Sequence, residues 1–356
     1  MISTSPSTAY KACKAANIQK LLVAVANGAS DGSESLKFEL DDKYTEMLTP
    51  EFLSERANEV ETNGYTIING VLDDEQVNNL KQEMANIVEA QAKNDEQHKH
   101  IFGSNAKGGG HMGDSTNYFL DSGSKISLFY ENDAFDENGE LKLPLMQSMN
   151  KVGHALHDLN DAFSGVCYSN AFKTLAYYIH DLQDPMVVQS MYMFKNKKIG
   201  RQVTPHQDSS YVTADPLSCK AIWVALDDAH QENGCMWCVP GSHKTEPVEY
   251  WMQAERSVKY DEETGEKIVE SKIEHVPGPK PDYDIENSVP LEVKKGGVIM
   301  FDGSLIHYSY PNTSEKQRNA FTMHMVETVD TTYSPKAWLQ RDESLPFKKM
   351  YEQNVQ

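Results

Sequence analysis

Within Thr204-Pro205-His206-Gln207-Asp208 an imidazole and a carboxylate stand two residues apart. In an extended backbone such residues share a face, so His206 and Asp208 can turn to one ion. A second imidazole far downstream, His307, would complete a set of two histidines and one carboxylate. That is the facial triad of non-haem Fe(II), which leaves positions open for a co-substrate and O2. Arg318 follows eleven residues after His307 and offers a planar fork of donors suited to a carboxylate. Together these residues suggest an iron oxygenase that takes a keto acid as co-substrate.

The His-x-Asp pair alone carries little weight, because a chain with 12 histidines should contain roughly one such pair by chance. The elements around it carry more. Residues 185–194 are β-branched, Met-rich and aromatic and read as a core strand. Ala221–Leu226 reads as a second strand, Glu232-Asn233-Gly234 as a turn, and Cys235–Val239 as a third strand closed by Pro240-Gly241-Ser242-His243. Around His307 the pattern repeats. Leu291–Val293 leads through Gly296-Gly297 into Val298–Phe301, and Asp302-Gly303 turns the chain into Leu305-Ile306-His307. Residues 318–325 alternate, with Arg318, Ala320, Thr322 and His324 on one face and Phe321, Met323 and Met325 on the other. Small neighbours leave room beside Arg318 for a ligand. Short strands with Gly-rich turns describe a mainly β fold with flanking helices (α+β), its core a double-stranded β-helix or cupin-like jelly roll.

Pro205-His206-Gln207-Asp208, Glu232-Asn233-Gly234-Cys235, Pro240-Gly241-Ser242-His243 and His307 with Arg318 resemble the phytanoyl-CoA dioxygenase family, above all its domain-containing proteins. Asn150–His157, Val188–Tyr192 and Ser334–Gln340 share the likeness, which spans about residues 50–350. The resemblance implies a double-stranded β-helix that uses Fe(II) and 2-oxoglutarate to hydroxylate a small molecule. It implies that His206, Asp208 and His307 are the iron ligands and that Arg318 pairs with the distal carboxylate of 2-oxoglutarate. Lys151, Met191 and Trp223 match positions lining the co-substrate site in relatives. An ammonium at Lys151 would balance a second carboxylate. Trp223 packs on the keto acid or is a core tryptophan, and Met191 lines the site or fills the core. In this chemistry 2-oxoglutarate takes two coordination positions and O2 the last, giving succinate, CO2 and a hydroxylated product, with ascorbate a further candidate cofactor. The cofactor performs the difficult chemistry and the protein supplies positioning and a dry site. No side chain need act as general base, so His243 and His324 read as turn and core residues. Two rival classes share the barrel: a hydrolase or isomerase using Zn2+ or Mn2+ at the same ligands, and a catalytically idle scaffold. A scaffold has no need of a desolvated arginine.

The chain has 356 residues, 39% hydrophobic and 24% charged, enough for one large core. Its net charge of −20 argues against nucleic acid or an anionic membrane as partner and sits awkwardly with a coenzyme-A ester. No apolar run reaches transmembrane length. The expected partner is a small-molecule substrate; oligomeric state leaves no signal. Five cysteines without framework spacing point to a reducing, cytoplasmic setting. The acid-free stretch Met1–Ser30 keeps a mitochondrial alternative open, and Asn354-Val355-Gln356 is not a peroxisomal address of the Ser-Lys-Leu type. Cys235 and Cys238 form a C-x-x-C whose odd spacing would put the thiols on opposite faces of a strand.

Residues 1–45 read as a flexible N-terminal extension and 46–356 as a single dioxygenase domain. Within it Thr49 and Pro50 start a helix, 64–68 form a strand, and Asp73 starts a long helix to about Ala92. Asn94–Gly113 reads as a mobile loop. Asn150–Asp161 reads as a helix with His154 and His157 one turn apart, either bordering the substrate mouth or filling surface or core, and 163–181 as a further helix. An insertion at about 248–289 is acidic and proline-bearing without clean periodicity, either a substrate-contacting lid or a solvated excursion.

Overall fold

A computed structural model describes residues 36–94, 101, 112–260, 264–265, 267–277 and 281–351. The expected extension as far as residue 35, and most of the expected loop at 94–113, lie outside these. The strands are β1 (Tyr65–Ile68), β2 (Ile126–Tyr130), β3 (Met149–His154), β4 (Met186–Lys195) and β5 (Val203–His206). Then come β6 (Ala214–Asp215), β7 (Cys219–Ala225), β8 (Met236–Cys238), β9 (Trp251–Tyr260) and β10 (Lys267–Val276). The series ends with β11 (Val289–Leu291), β12 (Val298–Asp302), β13 (His307–Ser309), β14 (Arg318–Val326) and β15 (Thr332–Tyr333).

Seven strands form one sheet in the order β1-β12-β7-β14-β4-β3-β2, and four form a second in the order β11-β8-β13-β5. The alternation along β14 decides what each face meets. Phe321, Met323 and Met325 join a cluster with helical residues such as Leu80, Met84, Phe163 and Phe172. Ala320 turns the other way, into a cluster that also holds Trp223 and Ala221 of the large sheet and Met236, Cys238 and Leu291 of the small one. The large sheet therefore carries helices on one face and the small sheet on the other. This is the double-stranded β-helix, mainly β with flanking helices, that the strand pattern predicts.

Helix α1 (Pro50–Asn63) starts where expected: the Thr49 side chain accepts from Phe52 N, Pro50 opens the first turn, and Gly64 at φ 87° ends it. Such a cap contributes about 1 kcal/mol. In α2 (Asp74–Asn94) the cap is reciprocal, Gln76 N donating to Asp73 Oδ1 and Asp73 N to Gln76 Oε1. Next comes α3 (Met112–Asp121). The expected helix at 163–181 is two, α4 (Asp161–Cys167) and α5 (Asn170–Tyr178). The Ser169 side chain accepts from Phe172 N and restarts the helix, a cap inside what reads as one apolar run.

One further expectation needs correction. Asn150–Asp161 is not one helix: its first half is β3, paired between β2 and β4, and helix is confined to the single turn Leu156–Leu159 and to Asp161, which opens α4. Pairing on both edges outweighs the local spacing. Gly153 permits it, since a Cβ there would stand 3.2 Å from Met191 Cγ and from Ser190 O. The insertion is also more regular than its composition suggests. β9 and β10 pair over their whole length as a hairpin. Its Met252, Ala254 and Ile273 pack beside Tyr211, Val212, Phe119 and Trp338 in a third cluster. Among the described residues, no helix is long and apolar enough to cross a membrane.

Candidate metal centre

β5 delivers His206 at its last residue, Gln207 stays extended at φ −115°, and Asp208 opens a 3-10 turn. His307 opens β13 and pairs with His206 across the ladder, so the two rings lie 4.2 Å apart between centroids. Asp208 Oδ1 is 3.4 Å from His206 Nε2 and 3.7 Å from His307 Nε2. Among the described residues these three form a group whose ligand atoms lie within 4.8 Å of one another.

The backbone fixes the tautomers. His206 Nδ1 lies 3.0 Å from Thr204 O and His307 Nδ1 2.9 Å from Leu305 O. A carbonyl oxygen only accepts, so each Nδ1 carries the proton and each Nε2 lone pair faces the carboxylate. Burial, with His206 beside it, lowers His307 to about 4, keeping that ring neutral. Burial alone would raise the Asp208 carboxyl, but the imidazoles around it, that of His324 first, hold it well below the usual range. Two imidazole nitrogens and one ionised carboxylate oxygen converge. This donor set suits a divalent first-row metal with positions left open.

Arg318 is buried on the inward face of β14, opposite Lys195 of β4. Its Cζ stands 5.2 Å from the Trp223 ring centroid, one Nη donates to Gly234 O, and its Nε has no hydrogen-bond partner. Desolvation lowers the guanidinium to about 10. A buried cation with an unused donor is fitted for an anion. Lys151 lies on β3 with Nζ 3.7 Å from Met191 Sδ and 5.5 and 5.4 Å from the Phe119 and Phe129 centroids. Burial lowers it to about 7. Met191 faces Gly153 on one side and Thr322 on the other, and Trp223 lies in the cluster between the sheets. The register thus puts Lys151, Met191, Trp223 and Arg318 on the strands that wall one interior.

Several neighbours escape a reading of residue types. Lys195, which ends an apolar strand, donates to Ser309 Oγ and Arg201 O, each at 2.8 Å, and burial lowers it to about 7. Its alternation with Met191 and Met193 was the signal. Gln207, between the two ligands, donates to Ser304 O at 2.8 Å and Glu246 O at 3.1 Å and accepts from Tyr283 at 3.1 Å. It ties the ligand turn to the turn before His307 and to the insertion. His324, read as a core histidine, lies 2.9 Å from Asp208 Oδ2. Its place on the face of Arg318 was the signal. His154 and His157 do not share a helical turn. Each is fully buried; His154 Nδ1 meets Ser122 Oγ at 2.7 Å and His157 Nδ1 meets Ser190 Oγ at 2.7 Å. Cys235 and Cys238 are free and buried in one cluster, because the strand begins only at Met236 and parity does not separate them.

The sequence profile of the phytanoyl-CoA dioxygenase family matches residues 60–320. Phytanoyl-CoA dioxygenase domain-containing protein 1 of Danio rerio is 36% identical over 300 residues, 81% of this chain and 94% of its own length. Phytanoyl-CoA dioxygenase of Arabidopsis thaliana is 40% identical over 225 residues, 63% of this chain and 74% of its own. Among solved structures, the non-haem α-ketoglutarate-dependent carbocyclase SnoK of nogalamycin biosynthesis aligns with TM-score 0.53 at 18% identity, over 79% of this chain and 86% of its own. EctD from S. alaskensis with bound Fe aligns with TM-score 0.51 at 15% identity, over 87% of both chains. At those identities the two structures establish the fold alone. The sequence relatives establish more: the chain belongs to the phytanoyl-CoA dioxygenase family, and it is an oxygenase of the Fe(II)- and 2-oxoglutarate-dependent kind.

Proposed function

We propose that the chain hydroxylates a small organic substrate, with His206, Asp208 and His307 holding Fe(II) and Arg318 anchoring 2-oxoglutarate. The observation that carries this is a juxtaposition: three metal-type donors within 4.8 Å, and in the same barrel a buried guanidinium whose Nε is unpartnered. Bound there, ferrous iron and 2-oxoglutarate supply the oxidative chemistry that consumes O2 and releases succinate and CO2.

The side chains bind and orient. His206 and His307 present Nε2 lone pairs because Thr204 O and Leu305 O hold their Nδ1 protons. Arg318 takes the distal carboxylate against the Trp223 ring, and Lys151, with Met191 beside it, balances the second. Ala320 and Thr322, small residues on the same face of β14, separate Arg318 from His324. No proton need pass through a side chain for this chemistry, so catalysis by the protein is positioning and exclusion of water.

The catalytic unit proposed is residues 46–356, with segment 248–289 as its specificity element. The hairpin packs beside Tyr211, whose ring meets that of His206 edge-on at 5.9 Å, and Tyr283 donates to Gln207. A cytoplasmic setting fits the four buried free cysteines among the described residues.

The test is chemical. Purified chain with Fe(II), 2-oxoglutarate and air should release succinate, more so with a cognate substrate, and none under anaerobic conditions. Absence of succinate with every substrate offered would remove the reading.

A further inference from the structure

We propose that His324 is a positioning residue for the metal site, its Nε2–H holding Asp208 Oδ2 so that the carboxylate presents a single oxygen to the ion. This rests on the metal reading above and adds a residue outside the donor set. His324 stands on the inward face of β14, six residues beyond Arg318, and is 3% exposed. Its Nε2 is 2.9 Å from Oδ2. An ionised carboxylate only accepts, so the proton of that contact sits on Nε2. The other oxygen, Oδ1, is the one both ligand imidazoles face. The two oxygens of Asp208 therefore have divided duties.

The division has a consequence for coordination. A carboxylate free to turn binds a cation through one oxygen or through both. A second oxygen on the ion would fill a position that the facial triad leaves open, and a chelating keto acid with O2 needs all of those. A donor on Oδ2 opposes that turn. It also fixes the carboxylate plane, as partners of metal ligands commonly do, and loss of such a partner typically weakens metal binding about 10–100-fold. β14 then carries both devices, Arg318 for the keto acid and His324 for the ligand, on one face of one strand.

The rival is a histidine that merely fills the core. Two substitutions in the full chain separate them: His324→Leu removes the donor, and His324→Gln keeps an amide N–H that reaches Oδ2. Anaerobic calorimetric titration with Fe(II) should show His324→Leu binding about 10–100-fold more weakly, with His324→Gln recovering most of the loss. The visible charge-transfer absorption that forms when 2-oxoglutarate chelates bound Fe(II) should be weakened in Leu and restored in Gln. If His324→Leu does not fold, His324→Asn, whose donor is too short to reach, replaces it in the comparison. Fe(II) bound by the Leu or Asn variant as tightly as by the unchanged chain would overturn the proposal. So would a Gln variant no better than Leu. An unchanged chain that binds no Fe(II) would instead overturn the metal reading, and this proposal with it.

Discussion

Arg318 and Lys151 face the same physical problem, a positive charge taken out of water, and in the proposed function an anionic co-substrate would resolve both. Losing one partner of a buried, hydrogen-bonded charge pair costs about 2–5 kcal/mol. Arg318→Ala should therefore raise the KM for 2-oxoglutarate roughly 30-fold or more while Fe(II) affinity is kept; an unchanged KM would refute the anchoring role. His206→Ala and Asp208→Ala should lose Fe(II) binding itself. Lys151 gives a pH signature. Its folded pKa, about 7, lies below the ordinary lysine value of 10.5, so between those values the unfolded chain binds more protons and the ligand-free fold gains stability as pH rises. Binding an oxoacid needs the ammonium, so it must take up protons above about pH 7. Calorimetry at pH 8 in buffers of different ionisation enthalpy should show net uptake, smaller in Lys151→Met, and an equal uptake in that variant would count against the pairing. Lys195, also lowered to about 7, should supply the remainder. At this scale the sequence was legible where type and spacing coincide, as in His206, Asp208, His307 and Arg318. Lys195 and His324 were hidden because a polar residue in an apolar strand gives no sign of which partner the facing strand brings.

The turn between β12 and β13 shows how elements hold the site to tolerance. Gly303 N donates to Cys219 O at 2.9 Å, and Gly303 O accepts from Ser209 N, next to Asp208, at 2.8 Å. A Cβ on Gly303 would meet Cys219 Cβ and O at 2.7 Å and Ser209 Oγ at 2.8 Å. Backbone atoms cannot yield as a flexible side chain can, so Gly303→Ala should cost about 1–3 kcal/mol. It should also push the Asp208 turn away from His307. The expected result is a lowered Tm together with weaker anaerobic Fe(II) binding, and a variant with a lowered Tm but unaltered Fe(II) affinity would show the turn to be structural only. The elements were readable where apolar, β-branched runs lay between turn signals, as in β4, β7 and β12, or where residues alternated, as in β14. They were misread where partners decide. β3 ends at His154, three residues before His157 and so at helical spacing from it, yet is a strand because β2 and β4 both pair with it. The hairpin of β9 and β10 mixes charged and apolar residues, and its regularity comes from its ten-residue register rather than from a clean pattern.

For the molecule as a whole, the acidic exterior and the cationic interior oppose each other. The chain carries a net charge of −20, yet Lys151, Lys195 and Arg318 are all buried on walls of one barrel. Asp208 is buried with them, and its charge is met by imidazoles rather than by a cation. A ferrous ion and a dicarboxylate would compensate these groups in the folded state, and neither would bind the unfolded chain as well. Ligands of that kind stabilise by mass action, about 2.7 kcal/mol at a free concentration 100 times Kd. Anaerobic thermal unfolding should therefore show Tm rising by several degrees with Fe(II), rising again when 2-oxoglutarate is added, and falling back with chelator. The two contributions should be separable by variant. His206→Ala should lose the iron increment, whereas Arg318→Ala should keep it and lose most of the increment from the oxoacid. A Tm indifferent to both ligands at saturating concentration would mean that the buried charges are balanced from within the protein, and the case for a cofactor pocket between Asp208 and Arg318 would fail.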